Sequence, residues 1–333
     1  NGDGTVTDNA TDLMWAQDDS GADEPGCQGS GMIGSIVNNP PTEVELDDRL
    51  DNESWCLSYA FRLRWPQGFV CPSCGAAHPE SGFEEMPLCR ACGRSTSITA
   101  GTLLHGSKKS LGTWLRALWW LSGERCSISI MKLKNHLGFS SYQTGWAWMK
   151  KLRFIMALAN RTKCRGIVLV DSVPVERPVT DEQLLSAIES VAHGHATGRL
   201  QMQLNDSLSR EAIVRFCRQT VIPGSVIIAP GRAPFTSVRM EEMIYTTEDS
   251  SFHHEEIVRL CASYQLWRRR NKCRWSPRLS TQSLVDEFCF FHNGALCTNR
   301  EILFEALVLT ALTHPPLNLE SLKELPASPG GEA

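Results

Sequence analysis

No run of apolar residues in this sequence approaches the roughly 18 residues that a membrane-spanning helix needs, so we expect no membrane partner. We also identify no stretch with the features of a signal peptide. Most of the thirteen cysteines lack the regular spacing of a disulfide framework and are scattered through apolar surroundings. Scattered cysteines of this kind are typical of reduced, core-filling thiols, which favours a cytoplasmic protein.

Cationic residues are scarce at the start of the chain, and acidic residues are scarce in the segment that follows it. Residues 1–54 contain one cation, Arg49, against thirteen acidic residues, whereas residues 55–165 contain sixteen cations and only four acids. The net charges of these segments are therefore −12 and +12, and residues 166–333 carry −4. A strongly basic block is typical of a nucleic-acid-binding module, because phosphate contacts need cations. Charge alone would equally fit a solvated basic surface.

Cysteine is regularly spaced in one place, where two Cys-x-x-Cys pairs are separated by fourteen residues and each pair is followed by glycine. Four thiolates on two tight turns match the ligand set of a tetrahedral zinc ion. The predicted ligands of one structural zinc ion are Cys71, Cys74, Cys89 and Cys92. A redox pair is the alternative, but it would need one Cys-x-x-Cys beside a βαβ pattern, which is absent. We therefore predict a zinc ribbon over residues 51–100, with a helix at 57–65 and a strand at 95–102.

The rest of the basic block predicts helices over about residues 107–121, 127–137 and 141–160. The last two are joined by a short turn containing Gly138, which is the arrangement of a helix-turn-helix, so we predict a DNA-binding domain over residues 101–165. A plain three-helix bundle would have the same pattern. The polar side chains expected to reach base edges are Ser141, Tyr142, Gln143 and Thr144. The cations expected to contact phosphates are Lys150, Lys151 and Arg153.

These motifs together resemble those of a known family. The runs RWPQGFVCPSCG, LCRACGRSTSITAGTLLH and LKNHLGFSSYQTGWAWMKKLR are similar to the zinc ribbon and helix-turn-helix of ISXO-like insertion-sequence transposases, and SLVDEFCFFHNG resembles their C-terminal region. The resemblance implies an RNase H-like DDE nuclease domain over residues 166–325, with two divalent metal ions. It also implies double-stranded transposon-end DNA as the partner, homo-oligomers, and a bacterial, nucleoid-associated location.

The two ends of the chain differ from the rest. The opening NGDGTVTDNATDLMW resembles the start of an unrelated bacterial surface-protein domain, and we interpret it as the relic of a gene junction. Residues 1–50 are acidic and rich in Gly, Asp and Asn, so we expect a mostly irregular segment or linker there. We expect residues 326–333 to be a disordered tail.

The predicted fold class of the whole chain is α+β and multidomain, ending in the α/β domain with a mixed sheet and flanking helices that the resemblance implies.

The catalytic positions implied by the resemblance are mostly lost. Asp171 follows the buried-type strand 167–170 and occupies the family's first acidic position, but Ser172 follows it where the family has a second acid. By alignment, Pro230 stands at the next metal-binding position, and Ser263, with Gln265 two residues on, stands at the last. Two-metal phosphoryl transfer needs several carboxylates, so one aspartate cannot hold both ions.

We therefore expect a transposase-family DNA-binding protein with structural zinc and a strand-transfer site without activity; Mg²⁺ would bind only if that site were functional. An acid such as Glu255 or Glu256 replacing a lost ligand would restore the enzyme hypothesis. Two other functions stay open on the sequence. One is a non-catalytic, domesticated DNA-binding regulator, and the other is a zinc-ribbon module that binds protein.

Overall fold

The computed structural model describes residues 5–7, 14–16, 46, 48–79, 81–124, 128–174, 183–190, 198–248, 251–270, 281–297 and 299–316. These residues form a mixed α+β structure. The chain divides into two compact units. Unit 1 comprises Asn1–Glu124, Ile130–Ile155 and Cys297–Leu319, and unit 2 comprises Arg125–Ser129, Met156–Leu296 and Glu320–Ala333. Most of the predicted N-terminal segment and all of the predicted C-terminal tail lie outside the described residues.

Unit 1 contains two small antiparallel hairpins, four complete helices and most of a fifth. The hairpins pair β1 (Thr5–Thr7) with β2 (Met14–Ala16), and β3 (Phe69–Val70) with β4 (Ala77–His78). The helices are α1 (Glu53–Arg64), α2 (Leu111–Gly123), α3 (Ile130–His136), α4 (Tyr142–Ala159) and α8 (Arg300–Thr313). The last turn of α4 belongs to unit 2.

Helix α2 begins where two side chains satisfy its first backbone amides. Ser110 accepts the amide of Thr113 at 3.2 Å, and the Glu53 carboxylate accepts those of Leu111 and Gly112 at 2.7 and 2.9 Å. A carboxylate at this end also interacts favourably with the helix dipole. Because Glu53 itself lies in the first turn of α1, the same residue fixes one helix against the start of another.

The core of unit 1 is aromatic. The Phe304 ring of α8 lies 5.9 Å from Tyr59 of α1 in a stacked arrangement and 5.4 Å from Trp119 of α2 in an edge arrangement. Trp114 of α2 stacks on Trp148 of α4 with centroids 3.6 Å apart. A helix from near the end of the sequence therefore completes the hydrophobic core of the N-terminal unit.

The strand predicted at residues 95–102 is wrong except for one bridge between Ser95 and Leu88. The chain turns instead, with Gly101 at a φ of +72°. The Arg64 guanidinium donates to the carbonyl oxygens of Ile98 and Ala100, at 2.5 and 2.8 Å. These contacts and the turn at Gly101 fix residues 98–101 in a non-extended conformation, so β-branched content alone was a poor guide here.

Unit 2 is built on a five-stranded mixed sheet with the order β7-β6-β5-β8-β9. The strands are β5 (Ile167–Pro174), β6 (Gln183–Glu189), β7 (Leu200–Asn205), β8 (Val226–Pro230) and β9 (Ile244–Glu248). Strands β5, β6 and β7 pair antiparallel, whereas β8 pairs parallel with both β5 and β9. Its helices are α5 (Arg210–Thr220), α6 (Ser251–Arg270) and α7 (Thr281–Leu296).

Alternate residues of β5 point to opposite faces of this sheet. Val168 and Val170 pack in one cluster with Phe216 of α5, and Leu169 packs in the other with Tyr264 of α6. Apolar side chains on both faces explain why the strand reads as a nearly continuous hydrophobic run. Helices therefore cover both sides of the sheet, and polar side chains of β5 are buried as well.

The predicted domain boundaries differ from the two units in two respects. The domains predicted over residues 51–100 and 101–165 lie mostly in one unit, with residues 156–165 in the other. The sequence suggested that residues 166–325 form a single domain, but Cys297–Leu319, which includes α8, groups with unit 1. The backbone amide of Leu103 donates to the carbonyl of Ala311 at 3.2 Å, a contact within unit 1. No helix in the described part of the chain is long and apolar enough to cross a membrane.

Candidate metal centre and nucleic-acid interface

The two Cys-x-x-Cys segments fold into matching turns. The amide of Gly75 donates to the carbonyl of Cys71 at 2.8 Å, and the amide of Gly93 donates to that of Cys89 at 2.8 Å. Both glycines have positive φ, +74° and +70°, a conformation that favours glycine over other residues. The same local hydrogen bonding in both segments directs each cysteine pair toward a common point.

The four sulfurs converge: the Sγ atoms of Cys71, Cys74, Cys89 and Cys92 all lie within 4.8 Å of one another. The Cys71–Cys92 distance is 3.8 Å and the Cys74–Cys89 distance is 3.6 Å. Four sulfurs placed tetrahedrally around zinc at 2.3 Å would be separated by about 3.8 Å. The donor set and its spacing therefore fit a structural zinc ion.

His78 of β4 lies beside this cluster, with its Nε2 atom 3.4 Å from the Cys89 sulfur. The backbone amide of Cys92, and then the His78 ring, lower the pKa of the Cys89 thiol to about 5. A thiol with a pKa of about 5 is a thiolate at neutral pH, which is the form that binds a metal ion. In the same cluster, despite the lowering effect of the Ala76 amide, hydrogen bonds with the Cys89 and Cys92 side chains raise the pKa of the Cys74 thiol to about 12. Within the described part of the chain, these four cysteines are the one group of three or more His, Cys, Asp or Glu side chains placed to hold a metal.

Helices α3 and α4 are joined by a tight turn at Gly138, whose φ is +64°. The amide of Phe139 donates to the carbonyl of Lys134 at 2.9 Å, which closes the end of α3. The helices approach closely at Gly145, where an added Cβ would lie 3.2 Å from the Ile130 Cγ2 atom. Helix α3 is shorter than the helix predicted over residues 127–137, because it runs only from Ile130 to His136. Ser127 lies outside the described residues.

The four predicted base-reading residues divide into two pairs. Ser141 accepts the amide of Thr144 at 3.1 Å, and their hydroxyl oxygens are 2.9 Å apart, so these two side chains cap α4. Tyr142, which is 50% exposed, and Gln143 project into solvent at the start of the same helix. The pair available to an external ligand is therefore Tyr142 and Gln143.

The three predicted phosphate-binding cations also lie in different surroundings. Lys150 places its ammonium 4.2 Å from the centroid of the Trp146 ring. Lys151 is half-buried and its ammonium lies 3.4 Å from the Leu103 carbonyl oxygen, and burial lowers its pKa. Arg153 is only 7% exposed. The prediction of phosphate contacts thus needs revision for Arg153 and Lys151, since helical spacing did not show which face of α4 packs inward.

The sequence predicted that Asp171 follows the end of its strand. In the structure Asp171 lies inside β5 and pairs with Ser186 of β6. The antiparallel pairing with β6 continues to Pro174, whereas the parallel pairing with β8 stops at Leu169. Asp171 is therefore just beyond the end of the parallel ladder and is 2% exposed. Its Oδ1 atom accepts the backbone amide of Ser172 at 2.6 Å.

Among the described residues, Asp171 is not part of any group of three or more His, Cys, Asp or Glu side chains placed to hold a metal ion. Pro230 ends β8 opposite Glu248 of β9. Ser263 is exposed on α6, and its hydroxyl donates to the Arg259 carbonyl at 2.9 Å. Glu255 is exposed on the same helix, and the side chain of Glu256 lies outside the described residues.

The sequence interpretation missed the residue that does contact Asp171. Arg232 follows β8 by two residues, and its Nη2 atom donates both to Asp171 Oδ1 and, at 3.0 Å, to the Ser172 carbonyl. The sequence did contain a clue, because Arg232 lies two residues after Pro230, the position that the resemblance aligns with a metal ligand. Its significance required knowing that β5 and β8 are adjacent and parallel.

Comparison with known proteins adds one match within unit 1. Residues 51–95 match the family model of the transposase zinc-ribbon domain, and this range includes all four cysteines of the cluster. Among curated proteins, none matches the chain. A chain of the cryoEM structure of the simian T-cell lymphotropic virus intasome in complex with PP2A regulatory subunit B56 gamma is 10% identical, with a TM-score of 0.28, over 48% of this chain and 67% of that chain. That likeness is too slight to inform the fold.

Proposed function

We propose that this chain is a transposase-family protein that binds double-stranded DNA through the zinc ribbon and the α3–α4 helix pair, which would act as a helix-turn-helix. The observation that carries the proposal is the match of residues 51–95 to the transposase zinc-ribbon domain, together with the convergence of the four sulfurs inside that range. The zinc ion would hold the ribbon in shape, and the ribbon and helix pair would present cations and polar side chains to DNA.

In this proposal α4 is the recognition helix. Tyr142 and Gln143 are exposed at its start, where a helix-turn-helix contacts base edges. Lys150 lies two turns further along, with its ammonium over the Trp146 ring. Ser141 and Thr144 would serve by fixing the beginning of the helix rather than by touching bases.

Unit 2 would be the RNase H-like domain of such a protein, without strand-transfer activity. Its mixed sheet with helices on both faces is compatible with that class. The proposal of inactivity is supported by Pro230 and Ser263 at the aligned positions and by the absence of a described carboxylate cluster around Asp171. Such a chain would work in the cytoplasm beside the nucleoid, as an element-encoded protein or as a domesticated regulator.

The test is binding of the full chain to a fluorescent duplex, measured by anisotropy at two salt concentrations. Several phosphate contacts should make the affinity fall at least about 100-fold between roughly 50 and 200 mM salt. The triple variant Tyr142→Ala, Gln143→Ala, Lys150→Glu should weaken binding by at least about 10-fold at the lower salt concentration, because base contacts and one phosphate contact are lost.

Arg218→Glu is the matched control, since Arg218 is an exposed cation of unit 2 paired with Glu242 at 2.9 Å. It should leave the affinity within about twofold if binding depends on the helix pair. Equal losses in both variants would point to nonspecific charge attraction. Charge reversal of Arg153 is avoided, because a carboxylate at a position that is 7% exposed would unfold the helix pair.

A second candidate function is a zinc-ribbon module that binds protein, and exposed apolar side chains on the ribbon favour it. Phe83, Met86 and Leu88 are 38%, 54% and 57% exposed. Exposed apolar groups of this size are common at protein interfaces. The duplex experiment separates the two functions, because a zinc-loaded chain that fails to bind duplex at low salt would support the protein-binding module.

A further inference from the structure

Arg232 lies beside Asp171, at the point where the family resemblance would place a metal ion. Arg232 is 43% exposed in its side chain, whereas that of Asp171 is 3% exposed. One nitrogen, Nη2, contacts both the Asp171 carboxylate and the Ser172 carbonyl. The guanidinium carbon lies 5.2 Å from the centre of the Phe235 ring, which is itself buried. Arg232 is thus held by a carboxylate, a carbonyl and an aromatic face.

A buried carboxylate is costly unless a counter-charge or several hydrogen-bond donors stabilise it. Asp171 has such donors in the Ser172 amide and in Arg232. A divalent ion at this point would need about six oxygen ligands from protein and water, and the Arg232 guanidinium already contacts Oδ1 of the same carboxylate. Among the described side chains Asp171 belongs to no group of three or more His, Cys, Asp or Glu residues placed to hold a metal ion, so the site lacks the carboxylates that a pair of Mg²⁺ ions needs.

The geometry points to Arg232 as the resident cation of this site. It supplies the positive charge that the transposase resemblance would assign to a divalent metal ion, and Asp171 is its structural counter-ion rather than a metal ligand. This inference rests on the proposed function only for the expectation that a metal ion would otherwise bind here. Pro230 and Arg232 then belong together, because Pro230 stands where the resemblance places a metal ligand and Arg232 supplies the positive charge of the ion.

The experiment compares thermal unfolding of the full chain with that of Asp171→Asn, Arg232→Met and the double variant. Each single change should lower the Tm by roughly 4–8 °C, because it leaves one member of the pair without its partner. The double variant should lose clearly less than the sum of the two. Arg239→Met is the control, since Arg239 donates to the carbonyls of Thr236 and Val238 and should change the Tm by less than about 2 °C.

Mn²⁺ binding, followed by the loss of the free-ion EPR signal, completes the test. We expect no difference in Mn²⁺ binding between the unmodified chain and Asp171→Asn. Binding that disappears in Asp171→Asn would overturn the inference, as would a Tm of Arg232→Met equal to that of the Arg239→Met control. Neither readout involves DNA, so failure of the duplex experiment would leave this result standing, and the reverse also holds.

Discussion

The cysteine cluster of unit 1 and the Asp171 site of unit 2 differ in the sequence separation between the residues that form them. The four cysteines lie within 22 consecutive residues, and each pair is set by its own turn. Asp171 and Arg232 are 61 residues apart and meet only because β5 and β8 are adjacent in the sheet. A site made from local turns keeps its ligands together through local geometry, whereas a site made from distant segments depends on every element between them.

The contrast also concerns charge. The four sulfurs of the first site would bind a cation from outside the protein, and their spacing fits zinc. The carboxylate of the second site already faces a cation from the protein itself. Two positions that a family resemblance would treat alike as metal sites therefore have opposite requirements for an external ion.

The largest effect that would test this contrast is loss of the ribbon metal. Cys71→Ser should reduce the zinc content from about one ion per chain to none and unfold the ribbon, because metal binding of about 10–16 kcal/mol is also folding free energy in such units. Elemental analysis and hydrogen exchange over residues 69–95 would measure both outcomes. Ser73→Ala is the control, since Ser73 is an exposed residue of the same turn. Folded, zinc-free protein would contradict the structural role of the ion.

A smaller effect is expected from Phe304→Ala, which asks whether the ribbon is independent of the helical core. Phe304 is 1% exposed between Tyr59 and Trp119, so its truncation should cost about 3–5 kcal/mol of the unfolding free energy. Because the sulfur cluster is set by local turns, the zinc content should not change.

Denaturant unfolding and elemental analysis of the same samples would check the Phe304 prediction. Met131→Ala serves as its control, because Met131 is 53% exposed and its truncation should change stability by less than about 0.5 kcal/mol. Loss of zinc in Phe304→Ala would mean that the ribbon depends on the helices, and the local character of the site would be disproved.

The smallest effect is a pH dependence at Asp286, an acid for which the charge of Arg161 does not offset the effect of burial. Asp286 of α7 accepts a hydrogen bond from the Gln282 amide at 2.7 Å, and burial raises the pKa of its carboxyl from 3.8 to about 7. Between these two values the folded chain holds a proton that the unfolded chain has lost. The stability contributed by this group should therefore be complete below about pH 4 and decline as the pH rises toward 7.

Asp286→Asn should flatten this decline, because an amide does not titrate in the range. The Tm of both chains, measured from about pH 4 to 7, gives the comparison. Asp206→Asn is a suitable control, since Asp206 is exposed and its replacement should leave the slope as it is. An unchanged slope in Asp286→Asn would show that another group carries the pH dependence.

The sequence by itself determined the parts of this protein that depend on neighbouring residues. The cysteine spacing identified the ligand set, and Gly75, Gly93 and Gly138 marked turns that require positive φ. Periodicity located α2 and α4 within a few residues of their observed ends. These features could be predicted because their hydrogen bonds close over three to five residues.

Only the tertiary structure decided what depends on distant segments. It placed α8 in the core of unit 1, buried Arg153 on the inner side of α4, and left Tyr142 and Gln143 exposed. It also brought Arg232 to Asp171 across two parallel strands. Helical or strand periodicity gives the direction of a side chain relative to its own element, but not which other element lies there. That choice depends on how the whole chain buries its apolar surface, which no local pattern contains.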